Sequence, residues 1–306
     1  MSFTTTTSAP MLKVNVADWD RTAKSYAQTG SRGPMSIPIQ GLVGLLNKLE
    51  PLDSASAILD VGCGSGGVIS HIIDTYSANM QSTTQLLSTD FSSVMVSLVT
   101  QLRKTKLAEL PAGRERDLWS QVTPLILDAT DMRPLPNDLI SHIIASFVFF
   151  MTADPAKALA ESYRVLRSGG VLACSSWHKM MWMENLVLAT ERALTPLNKA
   201  IPVMPQFPTK WSTAGGVKEQ LANAGFRDIQ TEYIEAPIII PDVEAWSRSF
   251  IASGNPAVTW ITDVLDAAEV EQVEKQLVQA IKEKCEVNEQ GAYILSGTAV
   301  LAAGRK

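Results

Sequence analysis

The sequence is short of several things, and each shortage excludes a class of protein. No apolar stretch reaches the roughly eighteen residues that a membrane-spanning helix needs. The opening MSFTTTTSAP has neither the basic nor the apolar region of a signal peptide, so the expected compartment is the cytoplasm. Three cysteines, Cys63, Cys174 and Cys285, are an odd number with no CxxC pair, which gives neither a disulfide framework nor a cysteine zinc site. Basic residues are outnumbered, 26 against 31 acidic ones, for a net charge of −5. With no basic face to meet a phosphate backbone, nucleic acid is not an expected partner, and neither is a membrane. No carboxylate and amide set stands at the strand ends to hold magnesium, so no metal is expected. The chain also lacks an internal repeat and any Gly/Ser-rich linker. It reads as a Ser/Thr-rich disordered tail at 1–12 followed by one domain over 13–306.

What is present is alternation. Trp19, Ala23 and Tyr26, then Ile39, Leu42, Val43, Leu46 and Leu49, recur at helical spacing and predict two helices ahead of the first strand. Strands are expected at about 56–61, 84–89, 122–127, 140–148 and 170–176, with helices from about 65, from about 92 and at about 155–167. A further helix in GGVKEQLANAGF, a strand at about 228–234 and a closing strand in AYILSGTAVLAAGR complete the pattern. This is the signature of an α/β fold: a mostly parallel sheet of seven strands with helices on both faces. Residues 177–214 and 242–284 break the alternation. They read, with 13–50, as a helical lid.

The chemistry concentrates in AILDVGCGSGG, residues 57–67, at the carboxyl end of the first strand, where open α/β sheets bind ligands. Gly62, Gly64 and Gly67 fit the GxGxxG of dinucleotide sites; Asp60, Gly62, Gly64 and Gly66 fit the D-x-G-x-G-x-G turn of S-adenosylmethionine sites. Asp60 separates the two, because a carboxylate repels a pyrophosphate but receives the ammonium end of S-adenosylmethionine, directly or through water. Asp90, ending the second strand in LLSTDFS, is placed to accept from both ribose hydroxyls. Asp128, at the end of the third strand in LILDATDM, is placed to accept from an adenine amino group. No Tyr-x-x-x-Lys hydride site accompanies the turn.

With VLRSGGVLACSSW and LANAGFRDIQ added, residues 15 to 305 resemble the class I S-adenosylmethionine-dependent methyltransferases, with their Rossmann-like fold. More narrowly, the stretch SHIIASFVFFMTADPAKALAESYRVLRSGGVLACSSWHKMMW and the ending AVLAAGRK are similar to fungal secondary-metabolite methyltransferases, the gliotoxin-type thiol-methylating enzymes among them. The resemblance implies a cofactor set of Tyr26, Asp60, Gly62, Cys63, Gly64, Gly66, Asp90, Phe91, Asp128, Ala129 and Ser146. It implies a substrate wall of Trp19, Phe147, Phe150, Trp177 and Trp182. His178, beside Trp177, is the histidine placed to act as a general base; His71 and His142 read as surface or structural groups, and Cys63 as a small residue in the turn.

The expected activity is methyl transfer to a thiol, or a hydroxyl, of a hydrophobic small molecule. Thiols are favoured because a thiol is already partly ionised near neutrality and needs little help from a base. The other reading is a protein that keeps the fold and the cofactor without transferring methyl, as a pericyclase or a regulator of secondary metabolism.

Overall fold

A computed structural model of the chain describes residues 14–29 and 35–306, with the side chains of 24–29 outside the description. The expected disordered tail therefore lies outside the described residues, and so does the Tyr26 side chain.

Helices α1 (Val16–Thr29) and α2 (Ser36–Leu49) come first, followed by β1 (Ala57–Val61), α3 (Gly67–Tyr76), β2 (Gln85–Asp90), α4 (Ser93–Glu109), α5 (Arg114–Gln121), β3 (Val122–Ile126) and β4 (Ile140–Ala145). Then come α6 (Pro155–Val165), β5 (Leu166–Met180), α7 (Met181–Leu194), α8 (Ala214–Asn223), β6 (Arg227–Glu235) and β7 (Ile238–Ile240). The chain closes with α9 (Val243–Ile251), α10 (Pro256–Thr262), α11 (Ala267–Lys284), β8 (Glu286–Val287), β9 (Tyr293–Leu295) and β10 (Gly297–Arg305).

Seven strands form one sheet in the order β3-β2-β1-β4-β5-β10-β6. Only β10 runs against its neighbours. Ile58, Leu59, Ile143, Ile144, Leu172 and Ala173 are fully buried, as expected where helices cover both faces of a parallel sheet. Each leucine or isoleucine among them contributes about 1.5–3 kcal/mol by leaving water. Helix starts are fixed locally: Asp154 accepts from Lys157 N ahead of Pro155, and Ser92 accepts from Met95 N to open α4.

Several boundaries differ from the sequence pattern. The fourth strand stops at Ala145 because Phe147 takes a left-handed backbone, φ 58°. Helix α6 ends at Val165, and the chain passes straight into β5, which runs on to Met180. Residues 177–214 are not irregular throughout, because α7 occupies 181–194 with Met183, Leu186, Ala189 and Ala193 buried on one side. Helix α5 was masked by its shortness and by having only Leu118 and Trp119 buried.

Two hydrophobic clusters result. The larger lies on the sheet, and α2 belongs to it rather than to any cover: a Cβ on Gly41 would come within 2.7 Å of Ile234 Cδ1 and 2.8 Å of Leu301 Cδ1. The smaller is built by α7, α9, α10 and α11 with the three-stranded sheet β7-β9-β8, around Leu186, Val258, Val273, Leu277, Ile281 and Leu295.

Candidate active site

At the end of β1 the chain turns through three glycines in the left-handed region, Gly62 (φ 64°), Gly64 (φ 53°) and Gly66 (φ 90°), before α3 begins at Gly67. The three do different jobs. A Cβ on Gly62 would sit 2.5 Å from Val148 Cγ2, and one on Gly66 3.0 Å from Leu102 Cδ2, so these glycines let the protein pack against its own turn. At Gly64 nothing lies within 4 Å of a Cβ, so its backbone faces open space that a ligand can enter. Cys63 is buried between them, its N–H donating to Thr89 O at 2.8 Å. Burial, reinforced by the charges of Asp60 and Asp90, pushes its thiol well up, which leaves it inert as a nucleophile.

Beneath the turn lies Asp60. Its side chain is fully buried, and neither carboxylate oxygen has a hydrogen-bond partner. The Ser88 hydroxyl, at the paired position on β2, is also unsatisfied. Burial first, and the nearby Asp90 second, push the Asp60 carboxyl up to about 8. Such a group is proton-bound at neutrality until a cation comes near.

Asp90 is arranged differently. Oδ2 accepts from Gly64 N at 3.0 Å and Oδ1 from Ser92 N at 2.9 Å, so this acid ties the glycine turn to the start of α4. Burial raises its pKa against those N–H donors, and the charge of Asp20 adds to the rise. Asp128 lies two residues beyond Ile126, the β3 partner of Asp90, with Oδ1 accepting from Thr130 N at 2.7 Å and Thr130 Oγ1 at 2.8 Å. Phe91, Ile126, Asp128, Asp131, Arg133 and Val16 line an open cleft of about 740 Å³ along this side, and Ala129 packs beside it on the core. The three carboxylates thus stand at or just past the carboxyl ends of three adjacent strands.

Across β1 the character changes from acidic to aromatic. Ser146 is half-buried at the end of β4, and the next residue, Phe147, is held in its left-handed conformation by an N–H to Ser175 Oγ bond of 2.9 Å. A non-glycine residue held so costs about 1–3 kcal/mol, a strain that gathers at functional sites. Phe147 stacks on Trp177 with ring centres 4.4 Å apart, Trp177 meets Trp182 edge-on at 6.3 Å, and Trp182 meets Phe250 at 5.6 Å. This aromatic row runs from the strand ends on the main core into the second cluster. Phe150 packs edge-on to Phe207 instead, and Trp19 is half-buried on α1.

His178 is not gathered with the rest. Next to Trp177 on β5, it sits where the pairing with β10 slips; its Nδ1 donates to Ser212 O at 2.7 Å, and its ring lies against Tyr233 at 4.7 Å. His142 is buried in β4 between Ser141 Oγ and Glu50 O, and burial lowers it to about 4, a structural role.

Residues 59–174 match the methyltransferase domain family. The methyltransferase ucsB of Acremonium sp is 34% identical over 224 residues, covering 73% of each chain. The chain belongs to the class I S-adenosylmethionine-dependent methyltransferases. At lower identity, 23% over 206 residues and 66% of this chain and 65% of the other, it is similar to the acetylaranotin bis-thiomethyltransferase of Aspergillus terreus. Among solved structures, the YcgJ protein of Bacillus subtilis shares the fold with a TM-score of 0.53 and 18% identity, over 87% of this chain and 98% of that one.

The cofactor of this methyltransferase is S-adenosylmethionine, and the residues present fit it. An unpaired buried carboxylate under an open glycine turn suits a cationic amino-acid end. The methyltransferase would hold that end over Gly64 and Asp60, with Asp90 and the Phe91–Asp128 cleft toward the nucleoside.

The sequence reading missed Asp20, Ser92 and Ser175. Ser92 carried a usable signal, since a serine directly before an apolar run is a helix cap. Asp20 and Ser175 carried none, because their partners lie 72 and 28 residues away.

Proposed function

We propose that this methyltransferase acts on a thiol, or less readily a hydroxyl, of a hydrophobic small molecule of secondary metabolism. The observation that carries the reading is the row Phe147–Trp177–Trp182–Phe250, which begins beside the cofactor turn and offers a greasy, weakly hydrated wall with no charged group in it. His178 adds support. Its ring lies against Tyr233 on β6 and its Nδ1 on Ser212 O, while the aromatic row is built from Trp177 instead, which suits an acceptor that ionises easily and needs chiefly alignment and desolvation. The similarity to a bis-thiomethyltransferase points the same way.

Bound over the turn, S-adenosylmethionine supplies a methyl group already activated by its sulfonium. The chain then has three tasks. Gly64 and the acids would fix the donor, and the aromatic row would align the acceptor and exclude water. The acceptor would meet the donor as its thiolate, its proton passing to solvent, since a free thiol titrates at about 8.5.

The test is incubation with methyl-labelled S-adenosylmethionine and matched thiols and phenols of rising hydrophobicity. Faster labelling of the thiols is expected. Labelling of phenols alone overturns the acceptor choice, and cofactor binding with no transfer to any acceptor favours the non-transferring reading.

A further inference from the structure

The glycine turn is tied to the first helix by a chain of hydrogen bonds that none of the residues assigned so far explains. Gly64 N donates to Asp90 Oδ2 at 3.0 Å, and Ser92 N donates to Asp90 Oδ1 at 2.9 Å. The Ser92 hydroxyl in turn accepts from Met95 N at 3.1 Å and donates to Asp20 Oδ1 at 2.5 Å. Ser92 O accepts from Val96 N at 3.1 Å, so every polar atom of Ser92 is committed, and the residue is fully buried. Asp20 belongs to α1, 72 residues away in sequence, and carries this link across to the cofactor acid.

The same helix is anchored on its other side. Arg21 pairs with Asp18 at 2.7 Å and with Asp263, at the end of α10, at 3.3 Å. Gly254, in the turn before α10, lies so close that a Cβ there would stand 3.0 Å from Arg21 Cβ. Helix α1 therefore spans from α4 to the second hydrophobic cluster, and a change in its seat is felt at both ends.

We propose that Asp20 is a positioning residue for the cofactor: by receiving the Ser92 hydroxyl it fixes the N-terminal cap of α4, and through that cap the orientation of the Asp90 carboxylate. Asp20 acts through Ser92, whose hydroxyl it receives and whose N–H holds Asp90. The inference rests on Asp90 holding the cofactor, and goes beyond it in making α1 part of that hold. Asp20 has two opposed effects. Its oxygen orients Ser92, while its negative charge lies near enough to disfavour ionisation of Asp90. The oxygen is the useful part, so an amide oxygen should serve as well as a carboxylate.

The opposed effects make the test discriminating. S-adenosylmethionine and S-adenosylhomocysteine dissociation constants are measured by calorimetry for the full chain and for Asp20→Asn, Asp20→Ala, Ser92→Gly and Asp20→Ala/Ser92→Gly, with thermal midpoints taken alongside. Glycine at 92 keeps the backbone N–H to Asp90 and much of the capping preference while deleting the hydroxyl. Asp20→Ala should weaken binding about fivefold to thirtyfold, as expected for loss of one charge-assisted hydrogen bond acting at second hand. Asp20→Asn should bind as tightly as the parent or more tightly, and the double variant should be no weaker than Ser92→Gly alone.

Equal affinity of Asp20→Ala and the parent overturns the proposal. So does an Asn variant as weak as the Ala variant, or additive losses in the double variant. If Asp20→Ala unfolds, the order of Asn, parent and Ser92→Gly still decides. Failure of the parent chain to bind either ligand would instead overturn the cofactor assignment itself.

Discussion

Asp60→Asn is the substitution that tests the site most sharply, because it separates folding from binding. Asn has the shape of Asp without its titration. In the cofactor-free protein the Asp60 carboxyl is held up at about 8 by burial and by Asp90. The same carboxyl in the unfolded chain titrates near 3.9. Below about pH 4 both states are protonated and the folded state has its full advantage. Between about pH 4 and pH 8 the folded state binds the proton more tightly, so stability falls by about 1.4 kcal/mol per pH unit and then levels off. The Asn variant carries no such slope. Whatever constant offset its buried amide brings, its stability relative to the parent should improve by about 3 kcal/mol between pH 5 and pH 7. For a chain of 306 residues that is about 4 °C in unfolding midpoint. Thermal or denaturant unfolding of both proteins at pH 5, 6 and 7 without cofactor reads it directly, and Asp90 titrates in both and largely cancels. A gap that stays constant over that range would mean that Asp60 is ionised and paired in the folded protein, and the reasoning fails. Calorimetry on the same samples should show weaker S-adenosylmethionine binding by the variant.

Three further expectations follow from the site. Gly64→Val, where a side chain meets open space, should abolish cofactor binding with a modest drop in midpoint, whereas Gly62→Val should unfold the protein against Val148; a Gly64→Val protein that binds normally would remove the turn from the site. Asp90→Ala should weaken binding by about 1.5–3 kcal/mol for each charge-assisted bond lost, and Asp128→Ala by less, so calorimetric losses in the reverse order would misplace the nucleoside. His178→Ala should keep at least about a tenth of parental turnover on a thiol, because a general base is worth about 10²–10⁴-fold, while Trp177→Ala should lose more by loosening the row; a hundredfold loss in His178→Ala with cofactor affinity intact would make it the base of an O-methyltransferase.

The sequence by itself determined the elements whose causes are local. The strand ending at Val61, the glycines that follow it, the Asp154–Pro155 helix start and the spacing of Val273, Leu277 and Ile281 each follow from residues within one or two turns of chain. The positions of Asp60, Asp90 and Asp128 at three strand ends were legible for the same reason: strand and turn signals fix where a strand stops, and a parallel sheet aligns those stops. Tertiary structure alone decided what each group does there. Adjacent residues Trp177 and His178 sit on one strand, yet which of them joins the row from Phe147 and which binds Ser212 O is set by facing elements that come from distant parts of the chain. Likewise α2 became a sheet helix through Gly41, and Asp20 reached Ser92, by contacts whose partners no local pattern names. The raised proton affinity of Asp60 belongs to the same class, since desolvation is a property of everything packed around a group and not of the residues beside it in the chain.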